Sequence, residues 1–272
     1  MNNNTPQEGG IINNYVLEYI IEETNYSTVF AARKSTEKQT KYVIKVLHPF
    51  SNIGSKEVQI LEKIRCSNII ELIDVFQYNS SRCLMFPLCI HCDLLEILSR
   101  KGSKLFSESF LKTIAIGVLK GLEYLHDMNI VHRDIKPENI VIMKKKPMID
   151  DVKLIDFGFV KQIPKGEKVR DQVGSELYSA PQVLNGEEYS TECDIWSLGI
   201  TLYYLALKKF PFDPTNRYEY RKMILNPLSI IDYGEMNKYF PRITMIIMKM
   251  LIHNPNDRIT AREALDDFFS SN

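Results

Sequence analysis

The chain has 272 residues, enough for one large core or two modest ones, and 34 basic side chains balance 34 acidic ones, which argues against nucleic acid or a membrane surface as partner. No apolar run approaches the roughly 18 residues of a membrane helix, and the opening Met1-Asn2-Asn3-Asn4-Thr5-Pro6 lacks the basic and apolar regions of a signal peptide. Five cysteines without framework spacing fit a reducing compartment, so the expected location is intracellular, cytoplasmic or nuclear.

Residues 1–13 are polar and glycine-ended, and a disordered leader is expected there. Residues 15–21 and 28–32, rich in β-branched and aromatic side chains, read as strands. Residues 41–47 alternate like a third strand. Residues 55–64 read as a helix, with Val58, Leu61 and Ile64 apolar at helical spacing. Residues 68–76 and 83–86 read as two more strands. Asp93 can cap a helix over 94–98. Ser107 can cap a long helix on which Phe110, Ile114, Val118, Leu122 and Leu125 form one apolar stripe. Residues 139–143 and 152–155 read as a hairpin with Lys144-Lys145-Lys146 as a solvated turn. Residues 194–207 are apolar on nearly all faces, as in a buried helix, and 218–269 read as further helices. The cluster Cys89-Ile90-His91-Cys92 has no second ligand pair at zinc spacing, and ordinary thiols near a binding cleft are the expected reading.

The chemistry concentrates in Val131-His132-Arg133-Asp134-Ile135-Lys136-Pro137-Glu138-Asn139. Asp134 can accept a proton from a hydroxyl, Lys136 can neutralise a moving phosphate, and Asn139 can hold a metal through its amide oxygen. Asp156-Phe157-Gly158 offers a second metal ligand downstream. Val43-Ile44-Lys45 offers a cation on a strand upstream. Phosphoryl transfer needs such positioning and charge neutralisation more than covalent chemistry.

These motifs, in this order and spacing, resemble those of eukaryotic-type protein kinases from about Tyr15 to Phe268. The wording around Tyr178-Ser179-Ala180-Pro181 and Phe210-Pro211-Phe212-Asp213 is most similar to the calmodulin-dependent and AMP-activated group. The resemblance implies an α+β, bilobal protein-kinase fold. A small antiparallel-sheet lobe with one key helix would span 14–87 and a larger, mostly helical lobe 88–272, as one catalytic domain over 14–269. It implies ATP and Mg2+ as cofactors, serine or threonine hydroxyls of proteins as acceptors, no nucleic-acid or membrane partner, and a monomer.

It also implies roles. Asp134, Lys136 and Asn139 would be catalytic, with Asn139 and Asp156 on the metal. Lys45, paired to Glu57, would position the α- and β-phosphates. Ile21, Glu22, Val29, Val43, Phe86, Cys89 and Asp93 would line the nucleotide, with Pro87-Leu88-Cys89 as the hinge and Asp93 near the ribose or simply a helix cap. His132, Arg133, Phe157, Gly158, Ser175, Gln182, Asp194 and Arg258 would support the loops, with Ser175 bridging Asp134 and Lys136 as in serine/threonine-specific members. Glu138 and Asp93 hint at a basic residue before the target hydroxyl.

Three departures stand out. The family's loop glycines fall here on Glu22, Thr24 and Ser27, which implies weakened nucleotide binding, with the hydroxyls of Thr24 and Ser27 as substitute donors. Gln182 replaces a glutamate, leaving Arg258 without its usual ion pair unless exposure or Asp257 compensates. No Ser, Thr or Tyr lies between Gly158 and Gly174, so Glu167 or Asp171 is expected to pair with Arg133 permanently and replace activating phosphorylation. A scaffold without turnover is the alternative reading. A small-molecule kinase is disfavoured by the intact substrate loop, residues 174–182.

Overall fold

The structure is a computed structural model that describes residues 6–48, 53–89, 93–102 and 105–270, with the backbone alone for 53–56. The chain divides into two compact units, Met1–Arg65 with Ile69–Ile90, and Cys66–Asn68 with His91–Asn272.

The first unit is a six-stranded antiparallel sheet with one helix. The strands are β1 (Ile11–Ile12), β2 (Tyr15–Glu23), β3 (Ser27–Lys34), β4 (Tyr42–Leu47), β5 (Asp74–Tyr78) and β6 (Ser81–Pro87), in the order β1-β2-β3-β4-β6-β5. The helix α1 spans Ile53–Leu61. One sheet face carries the core: Leu17, Phe30, Ile44, Val46, Cys83 and Met85, with Ile12 and Tyr15. Side-chain alternation along β3 and β4 therefore sends Val29 and Lys45 to the other face.

Three expectations change here. Residues 7–13 of the expected leader are not loose. Gly9 N donates to Leu17 O and Leu17 N donates to Gly10 O, and Ile12 is 1% exposed in the core. Burying one isoleucine is worth roughly 1.5–3 kcal/mol, which outweighs the polar look of the segment. The strand expected over 68–76 begins only at Asp74. Asn68 belongs to the second unit, where its amide donates to Ile149 O and Val152 O, and a buried amide so engaged does not continue a strand. The helix expected over 55–64 ends at Leu61, where Lys63 N and Ile64 N close tighter turns onto Ile60 O and Leu61 O.

The second unit contains α2 (Leu94–Arg100), α3 (Glu108–Asp127), β7 (Ile130–Val131), β8 (Ile140–Ile142), β9 (Val152–Leu154), β10 (Lys161–Gln162), α4 (Pro181–Asn185), α5 (Glu192–Leu207), α6 (Arg217–Leu225), α7 (Gly234–Tyr239), α8 (Pro241–Met250) and α9 (Ala261–Ser270). Ser107 caps α3 by accepting from Phe110 N. α3 is buried on more than the one expected stripe, because Leu111, Ala115, Ile116 and Leu119 join Ile114, Val118, Leu122 and Leu125 in the interior, while Phe110 is half-buried. α5 is buried along nearly its whole length, as its sequence implied. The β8–β9 hairpin is shorter than expected and closes through Lys144, which pairs with Asp151 at 2.8 Å. No helix among the described residues is long and apolar enough to cross a membrane.

Candidate active site

The residues singled out from the sequence fall into two sets, one in each unit. In the first unit, antiparallel register puts cross-strand partners on one face. Val29 lies opposite Lys45 and Val43 opposite Phe86, so these four share the face away from the core. Glu22 lies opposite Val29, and Ile21 is the extra residue of a bulge between Ile20 and Glu22. Both Ile21 and Glu22 are exposed. Lys45 Nζ reaches Glu57 Oε1 at 2.8 Å, with the two side chains 15% and 2% exposed. The strand fixes the stem of Lys45 and the helix fixes the carboxylate, so the cation is held out from the sheet at a defined height. After Phe86, Leu88 N donates to Lys41 O, which keeps the end of β6 tied to the sheet. Cys89 is described, but His91 and Cys92 lie outside the described residues, and with them the cysteine cluster.

The glycine-free turn between β2 and β3 closes on itself. Thr24 Oγ1 donates to Ser27 O and accepts from Tyr26 N and Ser27 N. Ser27 is buried. The two hydroxyls expected to serve as outward donors are thus turned inward, because a turn without glycine satisfies its own amides with the nearest side-chain oxygen.

In the second unit, the loop after β7 carries the densest network. Asp134 Oδ1 accepts from Ser175 N at 2.9 Å, and Asp134 Oδ2 accepts from Asn139 Nδ2 at 2.9 Å and lies 3.0 Å from Lys136 Nζ. Lys136 Nζ also donates to Ser175 Oγ at 2.8 Å. Ser175 therefore bridges the aspartate and the lysine, one through its amide and the other through its hydroxyl. The approach of this segment needs a glycine: Gly174 sits at φ +92°, and a Cβ there would lie 2.2 Å from Arg133 O.

The loop is supported from below by Asp194. This fully buried carboxylate accepts from His132 N at 2.9 Å, Arg133 N at 2.8 Å and His126 Nε2 at 3.0 Å. Burial works against its charge, but His126 and the His132 N–H outweigh that and hold its pKa below the ordinary carboxylate value. Arg133 itself adopts φ 69°, a left-handed conformation that costs free energy and is held by these two amide bonds. His132 packs edge-on against Phe157 at 5.0 Å and donates from Nε2 to Ile155 O, joining this loop to the Asp156 segment.

The β8–β9 ladder brings the oxygen donors to one end. Ile140 lies opposite Leu154 and Ile155 N donates to Asn139 O, so Asn139 and Asp156 flank the same edge of the hairpin. The Asn139 amide nitrogen is committed to Asp134 O and Oδ2, which leaves its oxygen for a cation. An amide oxygen and a carboxylate are the hard donors Mg2+ prefers, so this pair fits that ion.

Between Gly158 and Gly174, Asp171 Oδ2 pairs with Arg133 Nη1 at 2.8 Å, and Lys161 Nζ reaches the same oxygen at 2.7 Å. Of the two acids expected there, Asp171 takes the position and Glu167 does not. Lys161 first and Arg133 second pull the Asp171 pKa below its ordinary value. Tyr189 adds a bond from its hydroxyl to Asp171 O.

Arg258 is buried, which brings its pKa down to about 10 and leaves it charged at neutral pH. Neither exposure nor Asp257 compensates it: Asp257 accepts instead from Asn254. Four oxygens do so, those of Ile252, Glu192, His253 and the Gln182 amide, with the guanidinium 5.1 Å from the Trp196 ring. Gln182 turns its nitrogen to His253 O. Asp93 caps α2 by accepting from Glu96 N.

Two contributors were not picked out from the sequence, His126 and Tyr189. His126 sits in the last turn of α3, where a histidine commonly meets terminal carbonyls. Tyr189 has no local signal, since its partners lie 18 and 56 residues away.

The family model described as "Protein kinase domain" matches residues 15–270. Calcium-dependent protein kinase 4 of Plasmodium berghei is 35% identical over 212 residues, covering 78% of this chain and 39% of the relative. Serine/threonine-protein kinase 33 of Bos taurus is 32% identical over 269 residues, covering 93% of this chain and 54% of the relative. A "Probable myosin light chain kinase" of Dictyostelium discoideum is 29% identical over 257 residues, covering 92% of this chain and 52% of the relative. The chain thus spans between 39% and 54% of the length of these curated relatives.

Proposed function

The chain belongs to the protein kinase domain family, and on that premise we propose that it transfers the γ-phosphoryl of ATP to serine or threonine hydroxyls of proteins. The observation that carries the reading is the Asp134–Lys136–Asn139–Ser175 network, a carboxylate oriented by two donors, Ser175 N and Asn139 Nδ2, and flanked by the Lys136 cation. In the proposed reaction the bond between the γ-phosphorus and its bridging oxygen breaks, and a bond from the acceptor oxygen to that phosphorus forms. The acceptor's proton passes to Asp134, or Asp134 aligns the hydroxyl while the proton leaves later. Lys136 offsets charge on the phosphoryl oxygens. Lys45, fixed by Glu57, holds the phosphates that stay behind. Asn139 and Asp156 would hold Mg2+, which when bound neutralises phosphate charge. A Ser175 hydroxyl bonded to Lys136 supports hydroxyl acceptors of the serine/threonine type.

The Arg133–Asp171–Lys161 cluster supports a further reading: the substrate segment takes its working form without phosphorylation. Bacterially made, phosphatase-treated protein would then be active as purified, whereas a dead protein revived only by loop phosphorylation would refute it. Five cysteines without framework spacing support a reducing, intracellular setting. Protein acceptors, with neither nucleic acid nor a membrane as partner, and a monomeric enzyme complete the proposal.

The inward-turned Thr24 and the exposed Glu22 favour a second reading, a scaffold that holds ATP weakly and does not turn it over. Phosphate incorporation into a generic protein substrate separates the two. The enzyme reading expects transfer by the wild type and a loss of at least about a hundredfold in Asp134→Asn and in Lys45→Met. Equal, background-level incorporation in all three would leave the scaffold.

A further inference from the structure

A loop with glycines approaches phosphates by being pliant, and this loop has none between β2 and β3. Its tip is instead held from behind by one histidine. His48 follows β4 directly and extends the β3–β4 ladder by one step, donating from its backbone N–H to Tyr26 O at 2.8 Å. Its ring then makes two more contacts, Nδ1 with Asn25 O at 3.1 Å and Nε2 with Thr28 Oγ1 at 3.1 Å. A carbonyl oxygen only accepts, so Nδ1 carries the hydrogen. The Thr28 hydroxyl can donate or accept, so it serves Nε2 whether or not that nitrogen is protonated.

The side of the sheet matters. Thr28 lies opposite Val46, a core residue, and Val29 lies opposite Lys45. His48, two residues past Val46 and bonded to the buried Thr28, therefore backs the loop from the core face. It does not share the face of Lys45. The ring can fix the loop without occupying the space a nucleotide would take.

We propose that His48 is a positioning residue for the nucleotide loop: it fastens the tip at Asn25, Tyr26 and Thr28 and so supplies by rigidity what glycines supply elsewhere by freedom. This rests on the kinase reading, which makes the turn between β2 and β3 the phosphate-covering loop. A tip released from His48 must be ordered again each time a nucleotide binds, and that ordering opposes binding. The turn's own Thr24 bonds survive the loss of His48, so the hairpin remains while its placement loosens.

The test compares the wild type with His48→Ala, His48→Asn and Thr28→Val. Asparagine keeps a donor where Nδ1 stands. Valine removes the Thr28 hydroxyl at constant shape. The first readout is backbone amide exchange over residues 24–28 and 48 without nucleotide, expected to quicken by about tenfold in His48→Ala. The second is steady-state kinetics: the KM for ATP is expected to rise about fivefold in His48→Ala while kcat stays within about twofold. His48→Asn should lie nearer the wild type than His48→Ala does, and Thr28→Val between them. Unchanged exchange and unchanged KM in His48→Ala would overturn the proposal. So would a loss of kcat in step with KM and thermal stability in every variant, which is the mark of a merely structural histidine. A wild type that neither binds nor turns over ATP would refute the kinase reading and the link to nucleotide, while the exchange rates would still score the fastening itself.

Discussion

Asp194 shows how much one buried carboxylate does at the residue scale. Its two oxygens take four donors: two amides of the loop that presents Asp134, the His126 ring and the Cys193 thiol. Asparagine at this position offers one oxygen and turns an N–H2 group toward the second amide, so Asp194→Asn is expected to cost about 2–4 kcal/mol of stability. A carboxyl whose pKa is lowered on folding favours the folded state above its unfolded value, near 3.9, and the benefit disappears as pH falls through the folded value. Denaturant titrations from pH 7 to pH 3 should therefore show a fall for the wild type below about pH 4 that is shallower in Asp194→Asn. Parallel curves would remove Asp194 as a source of acid sensitivity. Gln182 makes the opposite point. A glutamate there would gain an ion pair with Arg258 but would set an anionic oxygen against His253 O, where the amide now donates. Gln182→Glu should thus change stability by less than about 1 kcal/mol, and a gain above roughly 2 kcal/mol would contradict this balance. Residue identities of this kind were legible as types and positions. The carbonyl cage of Arg258 was not, because backbone oxygens leave no mark in a sequence.

At the scale of elements, the interior helix α3 depends on small residues where other elements meet it. A Cβ on Gly117 would stand 2.6 Å from Val152 Cβ and 3.0 Å from Ile149 O. Alanine favours a helix over glycine by about 1 kcal/mol, but the collision with β9 costs about 1–3 kcal/mol, so packing decides the sign and Gly117→Ala should lower the melting temperature. A raised melting temperature would mean that β9 yields freely. The strands β2, β3, β4 and β6, the long helix and the buried helix could all be read from hydrophobic spacing. The segment 68–73 could not, since its apolar run looks like a strand while Asn68 is bound by residues more than 80 positions away. The segment 7–13 failed for a related reason: Ile11 and Ile12 are too short a run to register as a strand, and only Ile12 is buried, through packing with Tyr15 and Leu17. The segment 158–174 shows the reverse. Missing hydroxyls between Gly158 and Gly174 pointed to an acid on Arg133, and geometry selects Asp171.

At the scale of the whole molecule, each of the two units holds one of the proposed sets of groups: a cation on a sheet face in one, an oriented carboxylate with oxygen donors in the other. Neutral net charge gives no long-range field, so the proposed recognition of ATP and a protein acceptor is expected to rest on short-range contacts. Motif order made the division into a sheet-rich and a helix-rich unit legible in advance. The hidden tethers, Asn68, His48 and His126, escaped notice because each acts across a distance that local pattern does not span. The most direct measurement is transfer of labelled γ-phosphate from ATP to a serine- and threonine-containing protein by unphosphorylated wild-type chain beside Asp134→Asn. The account predicts incorporation that rises with time in the wild type, appears on serine or threonine, and falls at least about a hundredfold in the variant. Incorporation in the variant equal to that of the wild type, or none in either while ATP is bound, would contradict it.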